Sequence, residues 1–390
     1  MKIIFTGGGT GGHFYPIIAV AQKLNTLLER ENIADVKLFY MSTDPYNEEL
    51  LATNNITFKK VTAGKLRTYF SFKNFIDPFK TAWGVIKVFF QMFVLFPDAI
   101  FSKGGYASVP ALVAARFFRI PVIIHESDSA PGRVNAWSGK FAEKIAISYS
   151  EAAQYFPEGR TALTGNPIRE ELLQPSGKDA FKELGLDPNI PVLLVLGGSL
   201  GAQKINEQIV TLAPRLVEKY QVIHQTGPKN QAEVELLING LLTRGVYGSK
   251  EGNPNAGRYH IYGYLDSEKM RMAAEAATIV VSRAGSAIFE IAAWNIPAIL
   301  IPITETNGDH QRKNAFAYMR AGGATVIEEA NLAPNLLHTE IDSLMSDAPK
   351  RFAMKESAKA FSKIDASEKI AEQIVEVLLA HQAPKSNGQQ

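Results

Sequence analysis

Short apolar runs recur along the chain, each followed by a polar or glycine-rich turn and a longer stretch of helical periodicity. The first run is Ile3–Thr6, and hydrophobic residues then recur on one helical face as far as Glu29. The second half restarts this pattern with the apolar run Pro191–Leu196 and a helical stretch over Ala202–Val217. The alternation predicts an α/β fold, and the restart predicts two Rossmann-like domains, each a doubly wound parallel sheet.

Turn-forming residues between the two halves mark a domain junction at Gly165–Arg169. We therefore predict an N-terminal domain over 1–168 and a C-terminal domain over 169–365. We also predict a C-terminal helix at 366–382 that packs back on the first domain, and a disordered polar tail over 383–390.

Composition narrows the classes of protein that fit. A chain of 390 residues with 46% hydrophobic and 21% charged residues is globular and long enough for two cores. The net charge of +2 gives no general field for nucleic acid, so we expect no nucleic-acid partner. The chain has no cysteine, which excludes disulfides, thiolate metal sites and a cysteine nucleophile. Met1 and Lys2 lead straight into a strand without a signal peptide, so we expect a cytoplasmic location.

A glycine-rich turn follows the first strand of each half, over Gly7–Gly12 and over Gly197–Gly201. Glycines let a backbone approach a ligand closely, and the helix that follows offers free N–H groups and a positive dipole end to a phosphate. Both turns are therefore candidate phosphate-binding loops. The first also matches the G-x-G-x-x-G pattern of nicotinamide enzymes, with Asp44 as the acid after the second strand, so that alternative stays open.

His13 directly follows the first glycine loop and lies in the first helical turn. A base that faces a phosphate-binding loop is well placed to take a proton from an acceptor hydroxyl. A purely structural histidine that caps the loop is the alternative.

The stretch Thr278–Asn314 combines two apolar strands with two polar loops. The runs Thr278–Ser282 and Ala298–Pro302 predict buried parallel strands, whose carboxyl ends lie at one edge of a sheet. Glu290, one turn into the helix after the first run, suits ribose hydroxyls, and Gln311 suits the hydroxyls of a sugar. These side chains predict a sugar-nucleotide site. A helix-start carboxylate and a solvated loop are the alternative.

Two further strands are predicted to end at the same edge as the first glycine loop. The strand Asp98–Ser102 leads to the turn Gly104–Tyr106, and the strand Pro121–Ile124 leads to the polar turn His125–Asp128. Acids and a histidine at the carboxyl end of a strand indicate a candidate site.

Aromatic and basic residues alternate over Lys59–Phe96, where Asp77 is the one acid. This composition favours an interfacial patch that docks on an anionic membrane. The apolar run Val85–Phe96 is too short to span a bilayer. A core helix with a solvated basic face is the alternative. The aromatic and basic residues include Lys65, Arg67, Phe70, Phe72, Phe75, Lys80, Trp83, Lys87, Phe90 and Phe93.

The motifs occur in the order and approximate spacing of one known family. They comprise Gly8–His13, Gly104–Tyr106, His125 and Glu126 with Gly132 and Asn135, Gly165–Arg169, Gly197–Ala202, Arg283–Glu290 and Asp309–Asn314. On these motifs the chain resembles the MurG family of glycosyltransferases over nearly its whole length. The resemblance implies the GT-B fold, in which two Rossmann-like domains face a cleft.

The resemblance implies transfer of N-acetylglucosamine from its UDP derivative (UDP-GlcNAc). The implied acceptor is the 4-hydroxyl of the muramoyl sugar in undecaprenyl-diphosphate-linked pentapeptide (lipid I), and the product is the peptidoglycan precursor lipid II. The reaction inverts the anomeric centre, and no cofactor or active-site metal is expected. Residues 1–168 would face the acceptor and an anionic membrane, and residues 169–365 would bind UDP-GlcNAc. The implied location is peripheral, at the cytoplasmic face of the cell membrane, with cell-wall synthesis or division proteins as further partners.

The resemblance also implies roles for individual residues. His13 and Glu126 are the implied catalytic residues, and Gly9 and Tyr106 lie on the acceptor side. Asp128 stands where the family usually has asparagine. The residues implied to bind UDP-GlcNAc are Thr10, Gly11, Gly12, Asp128, Arg169, Ser199, Leu265, Ser286, Ala287, Glu290 and Gln311.

Other activities fit parts of the pattern. A GT-B transferase with another lipid acceptor, such as diacylglycerol, would share the donor loops and differ at Tyr106 and Glu126–Asn135. A UDP-GlcNAc 2-epimerase has a similar two-domain fold but needs no lipid. A nicotinamide enzyme would explain only the first glycine loop, and a lipid-binding scaffold would leave Glu290 and Gln311 without a purpose.

Overall fold

The computed structural model contains two compact units, each built on its own parallel sheet. The first unit consists of Met1–Arg169 together with the chain from Lys363 onward, and the second consists of Glu170–Ser362. The structure describes residues 1–64, 73–198, 201–243, 253–304 and 309–382, so the tail predicted at 383–390 lies outside the described residues.

Strands and helices alternate along both units, as the hydrophobic pattern predicts. The strands are β1 (Lys2–Thr6), β2 (Lys37–Ser42), β3 (Ile56–Lys60), β4 (Ala99–Ser102), β5 (Val122–Glu126), β6 (Lys144–Ile147), β7 (Thr161–Leu163), β8 (Val192–Leu196), β9 (Gln221–Gln225), β10 (Tyr259–Tyr262), β11 (Ile279–Ser282), β12 (Ala298–Leu300) and β13 (Ala324–Val326). The helices are α1 (Gly11–Arg30), α2 (Glu48–Thr53), α3 (Lys73–Leu95), α4 (Val109–Phe118), α5 (Arg133–Ser138), α6 (Glu170–Leu173), α7 (Ala180–Glu183), α8 (Gln203–Lys219), α9 (Gln231–Thr243), α10 (Ser267–Ala276), α11 (Ala287–Ala293), α12 (His310–Arg320), α13 (Pro334–Ser346), α14 (Ala348–Phe361) and α15 (Ala366–Gln382).

The sheet of the first unit has the strand order β3-β2-β1-β4-β5-β6-β7, and its strands pair in parallel. Central strand β1 is buried on both faces, with Ile3 and Phe5 packed in the cluster that contains α1 and Ile4 packed in the cluster that contains α4. Burial on both faces explains why this strand is an unbroken apolar run. The strand order reverses between β1 and β4, and ligands of such sheets bind at the carboxyl ends beside that reversal.

The C-terminal helix α15 completes the first unit. Ile370, Ile374 and Leu378 lie on one face of the helix and are buried in the same cluster as Ile17 and Leu24 of α1. Their spacing of four residues places them one above another along the helix, which is why this distant segment buries a continuous apolar stripe.

The sheet of the second unit has the order β10-β9-β8-β11-β12-β13, again with parallel pairs. It repeats the arrangement of the first sheet, with β8 in the place of β1 and β11 in the place of β4. Helix α8 buries Ile205, Ile209 and Leu216 in a cluster with Val195 of β8. The predicted class of two doubly wound parallel-sheet domains is therefore confirmed.

The structure corrects the start of the aromatic and basic stretch. Lys59 and Lys60 lie at the end of β3, which pairs with β2, and do not belong to a helix. The side chain of Lys59 reaches over the ring of Phe39, 5.8 Å from its centroid. The strand was not predicted because Ile56–Lys60 is a partly exposed edge strand with little apolar character.

Helix α3 has one buried face and one exposed aromatic face. Val88 and Met92, four residues apart, pack in the cluster that contains Ala111, Leu112 and Ala115 of α4. The opposite face carries large apolar side chains in contact with solvent. These exposed side chains are Phe79, Trp83, Ile86, Phe90, Phe93 and Val94.

The exposed face of α3 fits the predicted aromatic patch, and its buried face fits the alternative, a core helix. Lys65, Arg67, Phe70 and Phe72 of the predicted patch lie outside the described residues. Among the helices that the structure describes, none is both long enough and apolar enough to cross a bilayer.

Candidate active site

In the first unit, the loops after β1 and β4 meet through their glycines. Gly8 and Gly105 touch, and a Cβ on Gly105 would lie 3.1 Å from the backbone of Gly8. Gly104 and Gly105 have φ values of +76° and +83°, which side chains disfavour. The sequence GG at this turn therefore allows the two loops to approach each other.

Thr10 and His13 form a pair at the start of α1. The Oγ1 of Thr10 lies 2.9 Å from the Nδ1 of His13, and the hydroxyl does not cap the helix. The Nε2 atom of the same ring lies 3.6 Å from the position that a Cβ on Gly105 would occupy. Burial, reinforced by the charge of Lys103, lowers the pKa of His13 to about 4. The imidazole is therefore neutral at pH 7 and carries a free lone pair, and the same shift makes it a weaker base than an exposed histidine.

The side chain of Tyr106 lies against the first glycine loop. Its hydroxyl lies 3.3 Å from the Oγ1 of Thr43 and 3.4 Å from the position that a Cβ on Gly9 would occupy. The structure thus brings together Gly9, Thr10, His13 and Tyr106, which the sequence predicts as site residues.

Glu126 is buried at the end of β5, and both of its oxygens accept hydrogen bonds from its own loop. Oε1 accepts from the N–H of Asp128 (2.9 Å), and Oε2 accepts from the N–H of Gly132 (3.0 Å) and the side chain of Asn135 (2.9 Å). Burial, together with the charge of Asp128, raises the pKa of Glu126 to about 7. These contacts hold the turn that carries Asp128.

Lys103 is a buried cation that the sequence analysis does not identify. It is 2% exposed, and its Nζ lies 2.5 Å from the Nδ1 of His125. The Nε2 of His125 lies 2.9 Å from the carbonyl oxygen of Gly165, so a neutral ring that donates from Nε2 satisfies both contacts. Burial lowers the pKa of Lys103 to about 8, although the charges of Glu126 and Asp128 oppose that shift.

Arg169 belongs to the first unit. Its guanidinium lies 4.2 Å from the centroid of the Tyr15 ring, and the residue is buried. This stacking fixes the guanidinium beside α1, in the same unit as Thr10.

In the second unit, the glycine loop after β8 leads into α8. Gly201 has a φ of +82°, and a Cβ there would overlap the carbonyl oxygen of Thr226. The loop therefore requires glycine at this position. Ser199, the predicted diphosphate contact, lies outside the described residues.

Gln225 links two of the predicted donor-binding segments. Its Nε2 donates to the carbonyl oxygen of Gly198 (3.2 Å), and its Oε1 accepts a long hydrogen bond from the N–H of Leu265 (3.4 Å). The residue is the last of β9 and is 2% exposed.

Helix α11 carries the predicted ribose contact. Ser286 precedes the helix in α-helical conformation and does not cap it with its hydroxyl. Ala287 and Glu290 lie in the first turn and are half-buried. Gln311, at the start of α12, accepts a hydrogen bond through Oε1 from the N–H of Ile303 (3.2 Å).

Glu329 is a second residue that the sequence analysis does not identify. It accepts hydrogen bonds from Arg283 (2.5 Å), Lys204 (3.2 Å) and the hydroxyl of Thr304 (3.0 Å). Burial alone would raise the pKa of Glu329, but the hydrogen bond and charge of Arg283 lower it to about 2. The carboxylate is ionised at pH 7.

The described residues contain no group of three or more acidic or histidine side chains arranged to hold a metal ion.

Two Rossmann-like units, each with a glycine loop between its first strand and the following long helix, are the architecture typical of nucleotide-binding α/β proteins. Residues 3–147 match the model of the glycosyltransferase family 28 N-terminal domain, and residues 192–374 match that of the C-terminal domain. The chain belongs to glycosyltransferase family 28 and is therefore a glycosyltransferase, as the resemblance predicts. The nicotinamide alternative is not favoured.

Curated relatives and solved structures agree with this family. A Treponema denticola protein named UDP-N-acetylglucosamine–N-acetylmuramyl-(pentapeptide) pyrophosphoryl-undecaprenol N-acetylglucosamine transferase is 38% identical, covering 86% of this chain and 85% of its own. The crystal structure of Acinetobacter baumannii MurG is 23% identical with a TM-score of 0.70, covering 96% and 99% of the two chains. A putative UDP-N-acetylglucosamine 2-epimerase from Listeria monocytogenes has a TM-score of 0.68 at 13% identity, covering 97% and 98%, so fold alone does not separate these activities.

Proposed function

We propose that this glycosyltransferase moves N-acetylglucosamine from UDP-GlcNAc to the 4-hydroxyl of the muramoyl sugar of lipid I, giving lipid II. The substrates correspond to the name of the Treponema denticola relative. The observation that carries the proposal within the structure is the neutral imidazole of His13, which lies beside Thr10 and the Gly105 turn at the end of a glycine loop.

The first unit would bind the acceptor. A hydroxyl becomes a better nucleophile as its proton leaves, and His13 is the neutral base in the group formed with Gly9 and Tyr106. The acceptor oxygen bonds to C1 of the sugar as the bond from C1 to the UDP oxygen breaks, which inverts C1. The electron pair of that bond leaves with UDP, and the hydroxyl proton goes to His13.

Glu126 is better explained as a positioning residue than as the base. Both of its oxygens accept hydrogen bonds within the chain, so a substrate hydroxyl would have to displace one of them. Its role would be to hold the turn of Asp128, near His13.

The second unit would bind the donor. The glycine loop before α8 and the start of that helix offer N–H groups to the diphosphate, where negative charge grows as UDP leaves. One such donor is worth on the order of 3 kcal/mol of transition-state stabilisation. Leu265 would contact the uracil. The ribose side of the nucleotide would be contacted by Ser286, Ala287 and Glu290. Gln311 would contact the sugar through its NH₂ group, because its oxygen is already hydrogen-bonded.

The exposed face of α3 would dock on the cytoplasmic face of an anionic membrane, where a polyprenyl-linked acceptor resides. This face borders an open apolar groove of about 580 Å³ lined by Val85, Ile86, Phe89, Phe90, Phe93 and Phe118. Lys80 and Lys87 on the same helix supply positive charge for anionic headgroups.

A transfer assay with two acceptors tests the proposal. Purified protein is incubated with radiolabelled UDP-GlcNAc and a lipid I analogue in detergent, with diacylglycerol as the parallel acceptor. Label is expected on the lipid I analogue alone. Label on diacylglycerol, or label recovered only as epimerised nucleotide, would overturn the acceptor assignment and leave the family intact.

A further inference from the structure

Glu329 lies just beyond the edge strand of the second sheet. It begins the 3₁₀ turn Glu329–Asn331, which follows β13. Its side chain is 5% exposed, although the backbone turn lies at the surface. A carboxylate buried to this degree is normally paired.

The carboxylate of Glu329 accepts hydrogen bonds from three residues that lie beyond the carboxyl ends of β8, β11 and β12. Arg283 is the first residue after β11, and its Nη2 lies 2.5 Å from Oε1. Lys204 is the second residue of α8, beyond the glycine loop of β8, and its Nζ lies 3.2 Å from Oε2. Thr304 follows β12, and its Oγ1 lies 3.0 Å from the same oxygen.

The Arg283 side chain extends this link to the sheet itself. Its Nη1 donates to the carbonyl oxygen of Ile301, 3.1 Å away, just beyond β12. The guanidinium is 13% exposed, so Glu329 compensates a largely buried positive charge. Lys204, by contrast, is 62% exposed, and its Nζ pairs with Glu329.

We propose that Glu329 is a positioning residue for donor binding, because it ties together Lys204 at the start of α8, Arg283 after β11 and Thr304 beyond β12. The inference rests on the proposed function, which assigns the donor to this unit. Ser286, Ala287 and Glu290 lie within seven residues after Arg283, and Gln311 lies seven residues after Thr304. Loss of the carboxylate would release Lys204 and Thr304 and leave Arg283 without its counter-charge, while the acceptor residues of the first unit would be unaffected.

The test compares Glu329→Gln with a matched control in the same unit. Gln keeps the shape of the side chain, but its NH₂ group would face a donor in either amide orientation, Arg283 in one and Lys204 with Thr304 in the other. The control is Asp342→Asn on α13, whose carboxylate accepts from Lys219 (3.0 Å) and Tyr220 (2.7 Å) near the far end of α8. UDP affinity is measured by calorimetry, and KM is measured separately for UDP-GlcNAc and for the lipid I analogue.

For Glu329→Gln we expect UDP affinity to fall about tenfold or more, since several hydrogen bonds to a charged group are lost. KM for UDP-GlcNAc should rise in parallel, KM for the acceptor should stay unchanged, and Asp342→Asn should behave as wild type. Wild-type UDP affinity in Glu329→Gln would overturn the inference, as would an equal rise in both KM values. A wild-type protein that fails to bind UDP would overturn the proposed function together with the inference.

A second variant covers the case in which Glu329→Gln does not fold. Thr304→Val changes an exposed residue and removes only the hydroxyl hydrogen bond. A smaller rise in KM for UDP-GlcNAc, with no change for the acceptor, is expected. Kinetics identical to wild type would then contradict the positioning role.

Discussion

The direction of the hydrogen bond between Thr10 and His13 decides which nitrogen of the imidazole can accept a proton. Nδ1 lies 2.9 Å from the threonine hydroxyl, so either group can donate in this contact. If Nδ1 carries the proton and donates to Thr10, the lone pair lies on Nε2, the atom that approaches the Gly105 turn. This tautomer is the one that the proposed mechanism requires.

His13→Ala tests this role directly. Turnover is expected to fall about 100- to 10,000-fold, the usual contribution of a general base, while UDP affinity stays unchanged. In the wild-type enzyme, protonation of His13 should reduce turnover only near pH 4. The pKa of His13 is lowered to about 4, and the base is active only when neutral.

The control for this variant is His338→Ala on α13, in the other unit. It should retain wild-type turnover, and Thr10→Val should lose part of the turnover without losing UDP affinity. Wild-type turnover in His13→Ala would remove His13 as the base.

Helix α3 has one packed face and one exposed face. We therefore expect substitutions on the exposed face to weaken membrane binding without affecting folding. Phe90 and Phe93 are each 70% exposed, so their replacement by serine should leave folding intact. Each phenylalanine can contribute about 2 kcal/mol when it is buried in a bilayer interface. We expect Phe90→Ser with Phe93→Ser to lose at least tenfold in binding to anionic vesicles, measured by co-sedimentation.

Phe352→Ser is the matched control for the α3 variant. Phe352 is 67% exposed on α14 of the second unit, so it presents a similar area of aromatic surface elsewhere. Vesicle binding should be unchanged in this control. An equal loss in both variants, or full binding by the α3 double variant, would show that the α3 face is not the docking surface.

Most elements could be predicted because apolar periodicity is a local property. Strands such as Ile279–Ser282 are buried on both faces and read as continuous apolar runs, and α8 shows a clean helical stripe. β3 is an edge strand with exposed positions, so its pattern is weak. Short edge strands of this kind depend on pairing with a neighbour, here β2, and not on their own composition.

The site was predictable where a loop directly follows a strand, and not where partners are distant in sequence. Gly9, His13 and Tyr106 follow strand ends that must share one sheet edge. The contact of Lys103 with His125, and that of Glu329 with Arg283 and Lys204, join residues far apart in the chain. No spacing rule predicts such pairs, and a lysine after an apolar strand resembles an ordinary exposed turn residue.

For the whole molecule, the buried histidines predict how stability depends on pH. Burial lowers the pKa of His13 to about 4 and that of His224 to about 3, and also lowers the pKa of His125, all from an ordinary value of 6.5. Below pH 6.5 the unfolded chain binds these protons and the folded chain does not. Stability should therefore fall as the pH is lowered.

One carboxyl opposes this trend. Burial raises the pKa of Glu126 from 4.5 to about 7, so between these values the folded protein holds a proton that the unfolded chain releases. The unfolded chain takes up protons at three histidines, whereas the folded chain retains one at Glu126. The net effect of acid is therefore to lower the free energy of unfolding. The carboxylate of Glu329, with its pKa lowered to about 2, adds to the loss only when the pH falls below 4.5.

Differential scanning calorimetry between about pH 5 and pH 7.5 measures the effect. The thermal midpoint is expected to be level near neutrality and to drop progressively below pH 6.5, the ordinary pKa of the three histidines. His224→Gln should flatten part of that slope, because it removes a buried imidazole of the second unit that contacts Tyr259 and Asn206. A midpoint that rises on acidification would mean that Glu126, and not the histidines, dominates the proton balance of folding.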